Sequence, residues 1–112
     1  MTKTTTRMVE LQRGEVWWVE GPNVKRRPHL ILHRPKTLSV LPRIIAIPST
    51  RTVRAIATEV PLDTDDGMPA SCVLSLDNIT LIERSWCLER ITRLGPVRMA
   101  EVCAALLIAT GC

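Results

Sequence analysis

The sequence predicts a small, mainly β domain closed by one C-terminal helix, on three observations. Short β-branched or aromatic runs recur along most of the chain, each bounded by Gly, Pro or Asp. Only after Gly95 does the apolar spacing lengthen to a helical period. With 112 residues the chain is long enough for one modest core and too short for two domains. Five or six short strands followed by one helix give a strongly curved β-barrel or twisted sheet with the helix packed on it.

The elements follow in order. Residues 1–12, rich in Thr at their start, are expected to form a flexible tail, leaving 13–112 as the single domain. "GEVWWVE" (14–20) is a strand that stops at the Gly21-Pro22 turn. Trp17 and Trp18 face opposite sides of it, one for the core and one free to stack on a base or support a dimer. "PHLILH" (28–33) is a second strand, entered from the cations Lys25, Arg26 and Arg27 and ended by Pro35. "RIIAIPS" (43–49) is nearly continuous in apolar residues, as a strand buried on both faces requires. "AIATEVPL" (55–62) alternates like a half-exposed strand, and "DTDDGMP" (63–69) is a turn. "SCVLSL" and "ITLI" are further strands, split by Asp77-Asn78. From Pro96 to Gly111, Val97, Ala100, Cys103/Ala104 and Leu107 recur on one predicted helix face.

Composition narrows the function. The longest apolar run, "VCAALLIA", is too short to cross a bilayer, and the N-terminus lacks the apolar core of a secretory signal, so a cytoplasmic protein is expected. Cys72, Cys87, Cys103 and Cys112 show no metal-binding spacing; Cys103 is expected in the core. Neither a metal nor a cofactor is predicted. The net charge of +4 is unevenly spread, with 11 Lys/Arg against 3 Asp/Glu up to residue 54 and the reverse bias beyond it. A polyanion is the partner such a first half favours.

Cations and small hydroxyls meet at two strand ends. Arg27 precedes a proline and is therefore extended, and "PSTRTVR" (48–54) brings Ser49, Thr50, Arg51 and Arg54 to the end of the central strand. Arg offers a planar fork and Ser or Thr a short hydrogen bond to one phosphate. RNA carries its own nucleophile, the 2′-OH, so a site that aligns it and neutralises the transition state cleaves RNA without metal.

"RGEVWWV" (13–19), "RPHLILHR" (27–34), "IIAIPST" (44–50) and "SLDNITLIERSWCLERITRLGP" (75–96) resemble, in this order, the MazF/PemK family of toxin endoribonucleases. The resemblance implies an SH3-like barrel, a homodimer, and metal-independent, sequence-specific cleavage of single-stranded RNA that inhibits translation and growth. It also implies a cognate antitoxin whose acidic C-terminal segment covers the RNA groove. Arg27 occupies the family's catalytic arginine position. Where the family has Thr at the strand end this chain has Pro48, so the hydroxyl role passes to Ser49, nearer in sequence, or to Thr50, which keeps the residue type. Lys25, Arg26, Arg51, Arg54 and Asp77 are the expected RNA-binding residues. His29 and His33 share a face of their strand and are expected to pack rather than react.

Two other readings stay open at this point. The same barrel serves CcdB-like gyrase poisons, although the helix here lacks their Trp-containing terminus. An RNA-binding barrel without turnover is the other, kept by Pro48.

Overall fold

The computed structural model describes residues 9–112. Seven strands, β1 (Glu15–Gly21), β2 (Val24–Ile31), β3 (Arg43–Thr50), β4 (Glu59–Leu62), β5 (Cys72–Ser75), β6 (Thr80–Glu83) and β7 (Cys87–Arg93), are joined by a short helix α1 (Pro35–Leu38) and closed by α2 (Pro96–Thr110). All pairings are antiparallel, in the order β4-β5-β3-β2-β1-β7. β6 pairs with the first half of β3 and β5 with its last two residues, so β5 and β6 follow one another along the central strand.

The alternation of side chains splits the core in two. Val16, Leu30 and Ile47 point into a cluster completed by Leu62, Leu74, Leu76, Val102 and Ala105. Their neighbours Trp17, Ile31 and Ala46 point the other way, into a cluster with Val19, Leu38, Ile44 and Ile82. β1 to β3 are therefore buried on both faces, as the apolar run of β3 predicts. Trp17 is the core tryptophan, and its indole N–H donates to Glu15, a buried carboxylate that also accepts from Arg90 and the Gln12 amide.

Several expectations are corrected. β2 begins at Val24, so Lys25, Arg26 and Arg27 lie within the strand rather than in a loop ahead of it. The hairpin is tight, with Gly21 opposite Val24, and a Cβ on Gly21 would lie 2.7 Å from the Trp86 ring. The predicted strand at 55–62 shrinks to 59–62. Glu59 turns its carboxylate onto the amides of Arg54 and Ala55, satisfying them outside any ladder. β7 is an unpredicted strand; it forms one edge of the sheet, where the charges that hid it in the sequence are at home. The packed chain starts earlier than residue 13, because Leu11 is 7% exposed and joins the second cluster. The first eight residues of the expected tail lie outside the described residues.

α2 forms where predicted, with Pro96 in its first turn and Gly111 left-handed just past its end. Its packing face is not the predicted one. Val102 and Ala105 are buried, while Val97 is 73% and Leu107 55% exposed, and Cys103 faces outward. The helix is apolar nearly all round, so periodicity marks two candidate faces and cannot choose. Arg98 chooses: it reaches Asp66 at 3.1 Å in the turn after β4 and turns its own side inward.

Candidate functional site

The ends of β2 and β3 that carry the cations are in register. His29 pairs with Pro48 and Leu30 with Ile47, which sets Arg27 level with Thr50 and Pro28 level with Ser49. Residues two apart share a face. Lys25, Arg27, His29, Pro48 and Thr50 therefore occupy one face of the pair, and Arg26, Pro28 and Ser49 the other.

Two cavities flank this rim. One, of about 360 Å³, is lined by Trp18, Lys25, Arg26, Arg27, Ser49, Thr50 and Arg51, with residues 68–72 as its far wall. The other, of about 400 Å³, is lined by Lys25, Arg27, His29 and Pro48 together with Thr80 and Leu81 of β6. Lys25 and Arg27 belong to both. The first is floored by Trp18, over which the Arg26 guanidinium lies at 5.1 Å from the ring centre. Trp18 is thus the groove tryptophan, as its opposition to Trp17 requires.

Arg27 is held loosely. Its side chain makes one hydrogen bond among the described residues, from Nη1 to the Ser49 carbonyl at 3.5 Å. No carboxylate lies within ion-pair distance of Lys25, Arg26, Arg27 or Arg51 among the described residues. Their charge is uncompensated and directed at the groove, where a polyanion finds donors already oriented.

The two hydroxyls differ. Ser49 is 3% exposed and belongs to the face opposite Arg27. Beside it, the Cys72 thiol is pushed up by burial, which the Ser49 hydroxyl only partly offsets. Thr50 lies on Arg27's face, and its oxygen accepts the Thr52 amide at 3.1 Å. That bond fixes the side chain and leaves the O–H to donate.

Other expected binding residues divide. Lys25, Arg26 and Arg51 line the groove. Arg54 and Asp77 line neither cavity; Asp77 instead accepts a 2.6 Å hydrogen bond from Thr58, tying the turn before β6 to the 51–58 loop. The 68–72 wall was not anticipated, and nothing in "MPASC" signals it, since it is placed by the turn at 63–67 and by β5. That turn is closed by a reciprocal cap between Asp63 and Asp66, and by Gly67 at φ 89°, where a Cβ would strike Thr92.

Of the histidines, His33 is structural: its Nδ1 accepts the Ile45 amide and its Nε2 donates to Thr37 at 2.8 Å. His29 Nδ1 lies 3.2 Å from the Arg27 carbonyl, which can only accept, so Nδ1 carries the proton. Burial lowers its pKa, the bond to that carbonyl works against this, and the Arg27 charge lowers it further. Among the described residues no cluster of three or more His, Cys, Asp or Glu is arranged to hold a metal.

Comparison with known proteins places this geometry. The model of the PemK-like, MazF-like toxins of type II toxin-antitoxin systems matches residues 12–110. Probable endoribonuclease MazF5 of Mycobacterium tuberculosis is 36% identical over 101 residues, covering 89% of this chain and 93% of that protein. The solved structure of Mycobacterium tuberculosis toxin MazF-mt6 superposes with a TM-score of 0.79 at 30% identity, covering 87% of this chain and 96% of that one. An endoribonuclease solved in complex with its cognate antitoxin, from a mycobacterial species, shares the fold with a TM-score of 0.82 at 22% identity, over 91% and 96% of the two chains. With the family matched across almost its whole length, this chain belongs to the PemK-like, MazF-like toxins of type II toxin-antitoxin systems.

Proposed function

We propose that this chain is the endoribonuclease toxin of its toxin-antitoxin pair and cleaves single-stranded RNA at the Arg27 rim. One observation carries the reading: Arg27, which the family resemblance makes the catalytic arginine, stands with Lys25, Arg26 and Arg51 around an open groove in which no carboxylate among the described residues neutralises them.

The reaction is an internal transfer. The 2′-oxygen attacks phosphorus, the bond from phosphorus to the 5′-oxygen breaks, and the proton lost by the 2′-OH is regained by the leaving 5′-oxygen. The products are a 2′,3′-cyclic phosphate and a 5′-hydroxyl. Because the nucleophile belongs to the substrate, the protein needs to orient it and stabilise added negative charge. Arg27 supplies the charge. Thr50, on the same face and preset by the Thr52 amide, holds a phosphate oxygen in place of the hydroxyl that Pro48 lacks. Lys25, Arg26 and Arg51 bind the flanking phosphates, and Trp18 offers a stacking surface.

The chain acts as a homodimer in the cytoplasm, and the exposed apolar face of α2 provides surface for a second copy. Among the described residues no helix is long and apolar enough to cross a membrane. An antitoxin with an acidic C-terminal segment neutralises it by occupying the groove cations in place of phosphates. Incubating the purified protein with a long single-stranded RNA in EDTA tests the reading. Discrete cuts ending in cyclic phosphate and 5′-hydroxyl are expected. Retention without cutting would leave a binding barrel, and gyrase inhibition without cutting would leave a CcdB-like poison.

A further inference from the structure

Arg51 is the groove cation with the least to hold it. It lines the first cavity from one residue past the end of β3, and it has no ion pair among the described residues. Burial does not place it either, since residues 51–57 are all exposed, Val53 at 64% and Ile56 at 45% included. Between Thr50, which pairs with Val73, and Glu59, which pairs with Ser75, the backbone leaves the sheet. Hydrogen bonds must therefore set the path of this loop.

The bonds come from two carboxylates. One oxygen of Glu59, Oε1, accepts the amides of both Arg54 and Ala55 at 2.9 Å. Successive N–H groups converge on one anion where the chain takes up a left-handed residue, and Ala55 is that residue, at φ 55°. It is the one non-glycine with positive φ among the described residues, a conformation its Cβ disfavours unless something holds it. Glu59 is well placed to hold it. Pairing with Ser75 fixes its backbone, and its own amide closes a turn onto the Ile56 carbonyl at 3.0 Å. Asp77 fastens the far end of the loop through Thr58, whose carbonyl also accepts the Leu76 amide. Arg51 is thus bracketed by a ladder residue before it and a clamped peptide three residues after it. Glu59 makes no ion pair among the described residues, so this acid does not neutralise the cations it stands near.

We propose that Glu59 is a positioning residue for RNA binding: by clamping the Arg54 and Ala55 amides it sets the loop so that Arg51 faces the groove and Arg54 does not. The inference rests on the RNA-cleaving reading of the groove. Glu59 touches no phosphate and takes no part in the cleavage step. The sign of its effect separates this role from plain electrostatics. Removing an acid beside a polyanion site tightens binding if charge alone matters, whereas removing a clamp weakens it.

The test compares Glu59→Ala, Glu59→Gln and Arg51→Gln, each checked for folding by its melting curve. The probe is a mixed-sequence, single-stranded 2′-O-methyl RNA, which lacks the nucleophile and stays intact. Glu59→Ala is expected to bind more weakly than the parent at low salt. The slope of its log affinity against log salt should fall by about 0.7, the loss of one single-strand phosphate contact. Adding Arg51→Gln should lower that slope no further, because the contact is already gone. Glu59→Gln keeps the oxygen that accepts both amides and should bind at least as well as the parent. With unmodified RNA, Glu59→Ala should raise KM and leave kcat near the parent's, since the ladder holds Arg27 and Thr50 without the loop. Equal or tighter binding by Glu59→Ala, slope losses that add in the double variant, or a glutamine variant as weak as the alanine one overturns the proposal. Hydrogen exchange at Arg54 and Ala55 reads the clamp directly. Both amides should be slowed in the parent and in Glu59→Gln and exchange freely in Glu59→Ala; unchanged protection there overturns the clamp. A parent that binds no RNA, with the amides still released in Glu59→Ala, would instead overturn the RNA reading of the groove while upholding the clamp.

Discussion

The arginines of this chain fall into two populations. Those of the scaffold are satisfied. Arg98 reaches Asp66 at 3.1 Å, Asp63 at 4.0 Å and Glu101 at 2.9 Å; Arg90 meets Glu15 at 2.9 Å. Buried Arg84 donates to the Val9 and Leu41 carbonyls. Those of the groove are not: Arg27 has one long bond to a carbonyl, Arg26 rests on an indole, and Arg51 has no carboxylate partner among the described residues. The scaffold arginines hold elements together, so their charge is unavailable to a ligand. The groove arginines contribute little to the fold, so a phosphate meets their full field.

The sharpest way to break this contrast is Arg27→Ala. Removing the charge that stabilises the transition state is expected to raise the barrier by about 3 kcal/mol or more, a loss of at least about 100-fold in cleavage. Thermal stability should be unchanged, because the side chain gives up only the 3.5 Å bond to Ser49. Single-turnover cleavage and a melting curve on the same preparation read both sides. Near-normal cutting by the folded variant would remove Arg27 from the site.

Arg98→Met asks the opposite question. It leaves Asp66 and Asp63 together without their counter-ion and unties α2 from the turn that positions the 68–72 wall. A loss of about 2 kcal/mol in unfolding free energy is expected, the size for a part-buried charged hydrogen-bond network. Cleavage per folded molecule should change far less. Burial pushes the Asp66 carboxyl up, but the Arg98 hydrogen bond, the Asp63 amide and the Arg98 charge outweigh it and hold it below its usual 3.8. The unfolded state thus binds more protons, and this contribution fades as pH falls below 3.8. The variant should accordingly show a shallower acid loss than the parent, measured by urea unfolding at stepped pH.

Thr50 and Ser49 sharpen the comparison within the groove. Thr50→Ala is expected to slow cleavage roughly tenfold, the value of one oriented donor to a charged oxygen. Ser49→Ala should cost little in rate, since its side chain is buried on the face opposite Arg27. Equal losses would mean that both faces of the strand end meet the substrate.

This pair also shows what was legible in the sequence. The place of Arg27 at the groove was, because the proline after it forces an extended backbone at the strand rim. Which hydroxyl shares the face of Arg27 was not, because nearness in sequence favours Ser49 while strand alternation puts Thr50 with Arg27 and Pro48. The helix was legible as an element and illegible in orientation, since an all-round apolar sequence carries no preferred face until Arg98 finds Asp66. β7 was hidden for a related reason: an edge strand needs no apolar alternation when β1 alone supplies its ladder. The core strands were read correctly in kind because burial on both faces demands the run of Ile and Ala seen in β3.

The smallest expected effect separates two arginines that sequence alone treats alike. Arg51 and Arg54 both follow the end of β3, yet only Arg51 lines the groove, while Arg54 lies in the loop whose amides are held by Glu59. If phosphates follow the groove, Arg51→Gln removes one counter-ion-releasing contact and lowers the slope of log affinity against log salt by about 0.7, the single-strand value per contact. Arg54→Gln should leave that slope within error. The same split should appear with an acidic antitoxin segment, because a carboxylate competing for the groove reads the same cations. Binding isotherms for a catalytically silent Arg27→Ala background at several salt concentrations provide both slopes. Equal slope changes for the two arginines would show that bound RNA leaves the groove and runs over the 51–58 loop, and the boundary between groove and scaffold charge would then lie beyond Arg54.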